Sequence, residues 1–216
     1  MMRKIGIATM ALVLLAPLAA SAQEVTANAG FVSQYFFRGI LQKTSSASAG
    51  LDASTGPVSV GTWAADVGEG AEVDLYGKVK GEFGKGNVSA GGTAYLYTGQ
   101  FDDTYKEVNL GAGYGPVSFE FSFGKYDNFG AGSLDYFFTA VTVEHNGFYG
   151  KVGGFGNDFS GKYGEAGYGF SAADLDWKIT GILNDSDLSG LTNGDGEPTP
   201  GFTLVFGVTK TFTLKK

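Results

Sequence analysis

The sequence contains no cysteine and a single histidine, His145. Disulfide scaffolds, thiolate chemistry and histidine-rich metal sites are therefore excluded, and no cofactor is expected. Basic residues are also few, since 15 Lys and Arg stand against 22 Asp and Glu, a formal charge of -7. Because nucleic-acid binding depends on neutralising phosphates with Lys and Arg, a nucleic-acid partner is not expected either.

Long apolar runs are missing everywhere except near the start of the chain. The apolar residues 5–18 follow the basic pair Arg3-Lys4 and precede the small triplet Ala20-Ser21-Ala22. This three-part pattern predicts a secretory signal peptide over residues 1–22, cleaved on export. About 14 apolar residues are too few for a retained membrane-spanning helix, which needs about 20. The mature chain, residues 23–216, is predicted to be a single domain with a charge of -9, from 13 basic and 22 acidic side chains.

The mature chain is rich in glycine and aromatic residues and alternates with a period of two. Over residues 71–83, charged or polar side chains occupy one parity and mainly apolar residues and glycine the other. Residues 117–124, 174–181 and 202–209 repeat the alternation. Such alternation predicts strands, and a face this densely charged is better explained by an enclosed polar lumen than by a protein core.

Twelve such segments are separated by Gly, Asn, Asp and Pro. They span residues 24–39, 44–55, 58–67, 71–83, 88–100, 105–115, 117–128, 134–146, 148–157, 161–172, 174–184 and 201–214. Tight connections alternate with generally longer ones, the longest being residues 185–200. This wiring predicts an all-β, transmembrane, antiparallel up-and-down barrel of about 12 strands in the outer membrane, with both termini on the periplasmic side.

A soluble β-sandwich is the alternative, because its strands also alternate apolar and polar residues. A sandwich must bury a core of large side chains, however, whereas the apolar positions of residues 47–53 hold mainly alanine. Lipid tolerates such an uneven surface, and composition therefore favours the barrel.

The start of the mature chain carries a recognisable motif. Residues 30–39 read GFVSQYFFRG, followed by GTWAADV at 61–67 and EVDLY at 72–76. These elements resemble the TorF family, porin-like proteins of Gram-negative bacteria, and the resemblance covers roughly residues 27–77. The matching positions are Gly30, Phe31, Ser33, Tyr35, Phe37, Arg38 and Gly39. The resemblance implies an outer-membrane barrel whose solute is undefined.

The charged parity identifies candidates for the lining of the lumen, in which acids outnumber bases. They are Arg38, Asp66, Glu72, Asp74, Lys78, Lys80, Glu82, Glu107, Glu120, Glu144, Lys151, Glu165, Asp176 and Lys178. We expect opposite charges to pair there, and either passive diffusion of small hydrophilic solutes with a weak cation preference or an ion-paired, non-conducting interior. Arg38 is expected to pair with lumen acids or to project into a constriction.

Aromatic residues near the strand ends are candidates for the girdles that anchor a barrel at the two membrane interfaces. They are Tyr35, Phe37, Trp63, Tyr95, Tyr97, Phe137, Tyr168 and Trp177. The alternative is carbohydrate stacking inside a pore, which the lipid-facing parity assigned to most of them disfavours.

Three remaining features bear on catalysis, on metal binding and on membrane partners. His145, at an expected Asn146-Gly147 hairpin turn, lies near no nucleophile motif, so an enzyme is not expected. Residues 185–190 imitate the start of a calcium loop whose closing acid is missing, so a flexible acidic outer loop over residues 185–200 is preferred, with weak calcium binding or a partner contact as the alternatives. Membrane lipid and the barrel-assembly machinery are the expected partners, with Phe212, followed by a four-residue tail, as the residue that the machinery reads.

Overall fold

The computed structural model describes residues 24–216, and the predicted signal peptide lies outside them. Twelve strands make up most of this part of the chain. They are β1 (Glu24–Phe37), β2 (Ile40–Thr55), β3 (Val58–Gly68), β4 (Gly70–Phe83), β5 (Gly86–Tyr97), β6 (Tyr105–Tyr114), β7 (Val117–Tyr126), β8 (Leu134–His145), β9 (Phe148–Asn157), β10 (Lys162–Ala172), β11 (Leu175–Asn184) and β12 (Phe202–Lys215). A 3-10 turn, Asn128–Gly130, and one short helix, α1 (Ser186–Ser189), lie in connections.

The strands form one closed antiparallel barrel in which each strand pairs with its neighbours in sequence. β1 and β12 close the ring in a register that pairs Phe31 with Val208 and Val25 with Lys215. The predicted twelve-stranded barrel is therefore confirmed, with each predicted segment end within four residues of the strand end. Within residues 24–216, no helix has the length and apolar character needed to cross a membrane.

The two ends of the barrel are built differently. At one end, which we call the short-turn end, five two-residue turns join successive strands, and both termini of the described chain lie there. The predicted turn at Asn146-Gly147 is one of them, and both residues have the positive φ that this tight hairpin requires (51° and 83°). The opposite, long-loop end carries the longer connections, of which residues 185–201 are the longest.

Two connections at the long-loop end are shorter than predicted. β1 and β2 are joined by Arg38 and Gly39 alone, where the sequence suggested a loop over residues 40–43, and β3 meets β4 across Glu69. Arg38 and Gly39 both have positive φ (49° and 86°), so the chain reverses as tightly here as at the other end. The predicted loop residues 40–43 are instead the start of β2.

Large apolar side chains cover the outer face of the barrel. Phe119 and Phe123 on β7, Val152 on β9 and Phe206 on β12 are each about half exposed or more. Their neighbours in sequence have the opposite parity and point inward. An exterior that exposes Phe, Val and Leu in alternate positions around a closed sheet is the surface that a hydrocarbon environment favours.

Candidate functional site

A single arginine crosses the interior of the barrel. Arg38 lies at the tip of the β1–β2 hairpin, yet its guanidinium donates from Nη2 to Glu107 Oε2 at 3.0 Å and to Glu120 Oε1 at 3.2 Å. Glu107 lies on β6 and Glu120 on β7. In a ring of twelve strands β7 lies opposite β1, so Arg38 reaches it only by passing through the lumen.

The β1–β2 hairpin reaches the lumen because its end bends inward. We call residues 35–43 the inturned tip. Its strands carry a bulge, since Tyr35 pairs with Lys43 but Phe36 pairs with Leu41, which leaves Gln42 as an extra residue. A bulge bends and twists the strand that carries it. Beyond this point Phe36 and Ile40 pack on the buried interior residues Phe138 and Tyr163 rather than outside.

The loop between β11 and β12 holds the inturned tip in place. Leu188 of α1 is fully buried and packs with the same interior residues. The backbone N–H of Leu41 donates to Thr199 Oγ1 at 3.1 Å, and Thr44 Oγ1 donates to Glu197 Oε2 at 3.1 Å. A residue with a Cβ in place of Gly39 would come within 2.9 Å of Leu188 Cδ1. The tip and the loop are therefore packed as one unit.

The Arg38–Glu107 pair is buried and fully hydrogen-bonded. The Arg38 side chain is 8% exposed and that of Glu107 is not exposed at all. Besides Arg38, Glu107 accepts from the hydroxyls of Tyr136 at 2.7 Å and Tyr95 at 3.2 Å, and from Asn109 Nδ2 at 2.8 Å. Such satisfaction offsets the cost of taking two charges out of water, whereas removing one partner would leave a buried charge uncompensated.

Aromatic rings complete the environment of the guanidinium. The Arg38 Cζ atom lies 4.1 Å from the centroid of the Phe138 ring and 4.9 Å from that of Phe37. Ser122 Oγ accepts from Nη2 at 3.2 Å. Arginine suits this position better than lysine, because its planar group can stack on rings while it donates to carboxylates at its edge.

The inturned tip separates two cavities inside the barrel. The cavity toward the long loops has a volume of about 390 Å³ and is lined by aromatic residues, among them Phe37. We call it the mouth cavity. The second, of about 330 Å³, is lined by Arg38 itself together with Lys78, Thr93 and Asn109. We call it the inner cavity. Tyr95 lines both, so the layer formed by Arg38, Tyr95 and Glu107 is the partition between them.

The inward face carries nearly all of the charged residues that the alternation singled out. Glu120 bridges Arg38 and Lys151, whose Nζ lies 3.3 Å from Oε2. Lys151 pairs in register with Glu165, and Lys178 Nζ lies 4.0 Å from the centroid of the Tyr149 ring. The other predicted residues of this face are Glu72, Asp74, Lys78, Lys80, Glu82, Glu107, Glu144 and Asp176, which share its parity on their strands.

Asp66 is placed differently from the prediction. It alternates out of phase with Trp63 and Ala65, which face inward, and its side chain is 46% exposed at the long-loop end of β3. There it forms an ion pair with Lys43 and accepts from the backbone N–H of Gly68 at 2.9 Å. A carboxylate at the end of a strand reaches water without entering the lumen, so Asp66 is a rim residue.

Most of the predicted interface aromatics also lie inside the barrel, and that prediction is wrong for five of them. The Tyr35 hydroxyl donates to Glu72 Oε1 at 2.9 Å, and the Tyr35 ring meets Trp63 edge-on at 5.5 Å. Phe37, Tyr95 and Tyr97 line the mouth cavity. The polar side chains opposite them explain this placement, because Tyr95 pairs in register with Asp74 and Tyr97 with Glu72.

Three of the predicted girdle residues do face outward. Trp177 is 40% exposed and contributes to an outer-face groove with Phe31 and Phe170, and its indole Nε1 donates to the carbonyl of Ala172 at 3.2 Å. Phe137 and Tyr168 have similar exposure. Trp177 and Tyr168 lie near the short-turn end, and a girdle role for the three stays a prediction.

The motif of residues 30–39 forms part of the inturned tip and the part of β1 before it, which pairs with β12 to close the barrel. Ser33 Oγ accepts from the backbone N–H of Phe206 across the β1–β12 seam at 3.0 Å. Gly30 packs closely enough that a Cβ there would lie 2.9 Å from Ser48 Oγ. Tyr35, Phe37, Arg38 and Gly39 then build the tip. The motif therefore specifies how the chain turns into the lumen.

Several interior residues were missed by the charge pattern. Asp52 accepts from the Tyr76 hydroxyl at 2.8 Å, and the Tyr149 and Thr180 hydroxyls are 2.7 Å apart. Two residues that the pattern did identify, Glu72 and Asp74, each have one buried oxygen without a hydrogen-bond partner in the described chain. Asp52 could have been found in the sequence, because it lies on the same parity as Ser48 and Gly50 in β2.

The remaining motifs have simple structural explanations. Residues 185–201 are hydrogen-bonded along their length rather than loose, and Asp185 caps α1 by accepting from the backbone N–H of Asp187 and Leu188. In residues 24–216 no group of three or more His, Cys, Asp or Glu side chains is arranged to hold a metal ion. His145 lies exposed at its turn, with Nε2 3.1 Å from Asn146 Nδ2. Strand β12 continues beyond Phe212 to Lys215.

Comparison with solved structures supports the fold. A chain from a study of the in-meso crystallization of membrane proteins superposes with a TM-score of 0.60 at 8% identity, over 89% of this chain and 85% of that one. The Pseudomonas aeruginosa protein OccK1 (OpdK) gives 0.41 at 13% identity over 80% of this chain and 58% of its own. Acinetobacter baumannii OccAB2 gives 0.41 at 10% identity, over 87% and 60%. The first of these likenesses supports the fold, and the other two are too distant to carry an argument.

Comparison by sequence gives the family. No curated protein matches the chain. A family model does match residues 16–192, which include the motif, the inturned tip and most of the barrel. The chain belongs to the Gcw_chp family, described as bacterial proteins of unknown function.

Proposed function

We propose that the protein is a porin-like barrel of the bacterial outer membrane that lets small hydrophilic solutes diffuse slowly past the inturned tip. Residues 1–22 would act as the cleaved signal peptide and residues 23–216 as one barrel domain. Lipid would cover the apolar outer face, and the barrel-assembly machinery would insert the chain. The resemblance of the tip motif to the TorF family of porin-like proteins supports the same assignment.

The observation that carries this proposal is the partition of the lumen into two cavities. A barrel with an apolar outside and cavities above and below one buried ion pair is built as a narrow passage with a constriction. Water and ions would fill the inner cavity, which opens among Lys78, Thr93 and Asn109. Passage would require the layer of Arg38, Tyr95 and Glu107 to yield.

The charge of the inward face as a whole supports a weak preference for cations. At the constriction itself, Arg38 and Lys151 balance Glu107 and Glu120. Over the whole inward face acids outnumber bases, and Asp52 on β2 adds one more acid. Rings of acidic side chains lower the energy of a cation in a pore.

Planar-bilayer recordings in a KCl gradient test the proposal. The wild-type barrel is expected to show a small conductance with a reversal potential on the cation-selective side. Arg38→Gln should raise both conductance and cation preference, because it loosens the tip and removes a positive charge. Lys78→Gln is the matched control, since it removes an inward positive charge without touching the tip and should leave the size of the conductance nearly unchanged. Anion selectivity of the wild type would contradict the proposed preference.

A non-conducting barrel that binds a partner at its mouth is the second candidate. The full burial of Phe138 and Leu188 favours it, because the tip and the loop fill one side of the interior as a packed core does. Under this candidate neither the wild type nor Arg38→Gln conducts, whereas the passage proposal requires a small conductance from the wild type and a larger one from the variant. Neither candidate assigns a catalytic role to His145.

A further inference from the structure

The mouth cavity combines aromatic walls with negative charge and contains no basic side chain. Seven of its lining residues are Tyr or Phe, contributed by the tip, by β5, β6, β8 and β9, and by the β9–β10 connection. Its charged lining residues are Asp102, Asp158 and Asp187. Within residues 24–216, none of these three forms an ion pair with Lys or Arg. Three acids therefore line the cavity without a Lys or Arg partner among the described residues.

The aromatic rings are held so that they offer carbon surface rather than free donors. The hydroxyl of Tyr105 donates to Asp102 Oδ2 at 2.8 Å, and those of Tyr95 and Tyr136 donate to Glu107. Tyr136 stacks on Phe159 with centroids 4.6 Å apart and an interplanar angle of 1°. The rings are thus fixed by their hydroxyls or by each other, which leaves little rotamer freedom to lose on binding.

Asp102 is a mouth-cavity acid held directly by the aromatic wall, through its hydrogen bond from Tyr105. It lies in the connection between β5 and β6, where Tyr126 also donates to its Oδ1 at 2.8 Å. Burial raises the pKa of Asp102 above its ordinary value, although the hydrogen bonds from Tyr126 and Tyr105 oppose the shift. A cation placed beside this carboxylate would supply the stabilisation that burial has removed.

We infer that the mouth cavity is a binding site for a small organic cation with an apolar body, such as a quaternary ammonium compound. Its volume of about 390 Å³ suits a small organic molecule. Aromatic faces attract a poorly hydrated cation, and a nearby carboxylate selects it against a neutral molecule of the same shape. The inference rests on the proposed function for its physiological meaning, since it identifies the class of solute that would meet the constriction.

The test is equilibrium binding by titration calorimetry to the full barrel refolded in detergent micelles. Choline is the probe, and 3,3-dimethylbutan-1-ol is its uncharged isostere. Choline is expected to bind, and the alcohol to bind at least about tenfold more weakly. Equal binding of the two compounds, or no binding of choline, would overturn the inference.

Two variants locate the site. Asp102→Asn removes the charge, keeps Oδ1 as the acceptor for Tyr126, and places an amide that can donate to the Tyr105 hydroxyl where Oδ2 accepted from it. It should weaken choline binding about tenfold. Asp127→Asn, in the β7–β8 connection at the same end of the barrel and paired with Lys106, is the matched control and should bind like the wild type. Unchanged affinity in Asp102→Asn would overturn the assignment.

A second pair of variants addresses the ring surface. Tyr105→Leu should weaken choline binding, whereas Tyr114→Leu, on the exposed far end of the same strand, should not. Heat-modifiable gel mobility confirms that each variant is folded, and if neither site variant folds, the comparison of choline with its isostere decides. Conductance of the same preparations is recorded separately, so that a silent barrel that binds choline would refute the passage proposal and leave the binding site standing.

Discussion

The two halves of the barrel interior are built on different physical principles although the same twelve strands run through both. In the half toward the long loops, the inturned tip, aromatic rings and a buried ion pair fill the space. In the half toward the short turns, Lys80 and Glu82 form an exposed pair, with side chains 44% and 73% exposed. The comparison shows that one alternating pattern can specify a packed interior at one end of a barrel and a solvated one at the other.

The largest expected effect comes from removing the arginine of the packed half. Arg38→Ala would leave Glu107 charged, buried and short of its strongest partner, and should lower the free energy of unfolding by about 3–5 kcal/mol. Urea titration of the barrel refolded into vesicles measures this value. A loss below about 1 kcal/mol, the range of an exposed pair, would mean that the two halves do not differ as described.

The second largest loss of stability is expected when the glycine of the inturned tip is replaced by alanine, with a glycine of the short-turn half as the control. Gly39→Ala introduces a Cβ at φ +86°, 2.7 Å from Asn184 Oδ1 and 2.8 Å from Tyr163 Cβ, and should cost roughly 2–4 kcal/mol through strain and crowding. Gly56→Ala is the control, because its φ is also positive but a Cβ there meets nothing within 4 Å. It should lower the free energy of unfolding by about 1–2 kcal/mol, the cost of holding alanine in a left-handed backbone conformation. Equal losses in the two variants would argue against a packed tip.

A smaller effect is expected from a single hydroxyl. Tyr136→Phe removes one of the donors to Glu107 and should cost about 1–3 kcal/mol, because a buried carboxylate is left less satisfied. Tyr149→Phe removes the contact with Thr180, where no charge is involved, and should cost about 1 kcal/mol. The same urea titration compares the two variants. A larger loss of unfolding free energy in Tyr149→Phe than in Tyr136→Phe would contradict the stronger hydrogen bonding assigned to the long-loop half.

The smallest effect is expected in the solvated half. Lys80→Gln breaks the pair with Glu82, but both side chains reach water and the pair gains little from contact. The unfolding midpoint in urea should not change measurably. A shift as large as that of Tyr136→Phe would show that the short-turn half is more tightly organised than its exposure indicates.

The strands could be predicted from the sequence because their information is local. A period of two assigns faces, and Gly, Asn and Asp mark the turns, so the predicted ends lie within four residues of the observed ones. The inward acids followed from the same parity. Asp66 did not, because a side chain at a strand end reaches water on either face.

The inturned tip could not be predicted because the contacts that hold it are distant in sequence. Arg38 and Glu120 are 82 residues apart, and no local pattern indicates that a bulge near Gln42 would bend the hairpin inward. The assignment of Tyr95 and Tyr97 to membrane girdles failed for a related reason. Aromatic character alone does not fix a face, whereas their register opposite Asp74 and Glu72 does.

A double-mutant cycle tests most directly whether Arg38 crosses the lumen to Glu107. The free energies of unfolding of the wild type, Arg38→Ala, Glu107→Ala and the double variant give the coupling energy between the two positions. A tip turned into the barrel requires a coupling of about 2–3 kcal/mol, because the second substitution removes the charge that the first left unpaired. Additive losses, with a coupling below about 0.5 kcal/mol, would contradict the partition of the lumen.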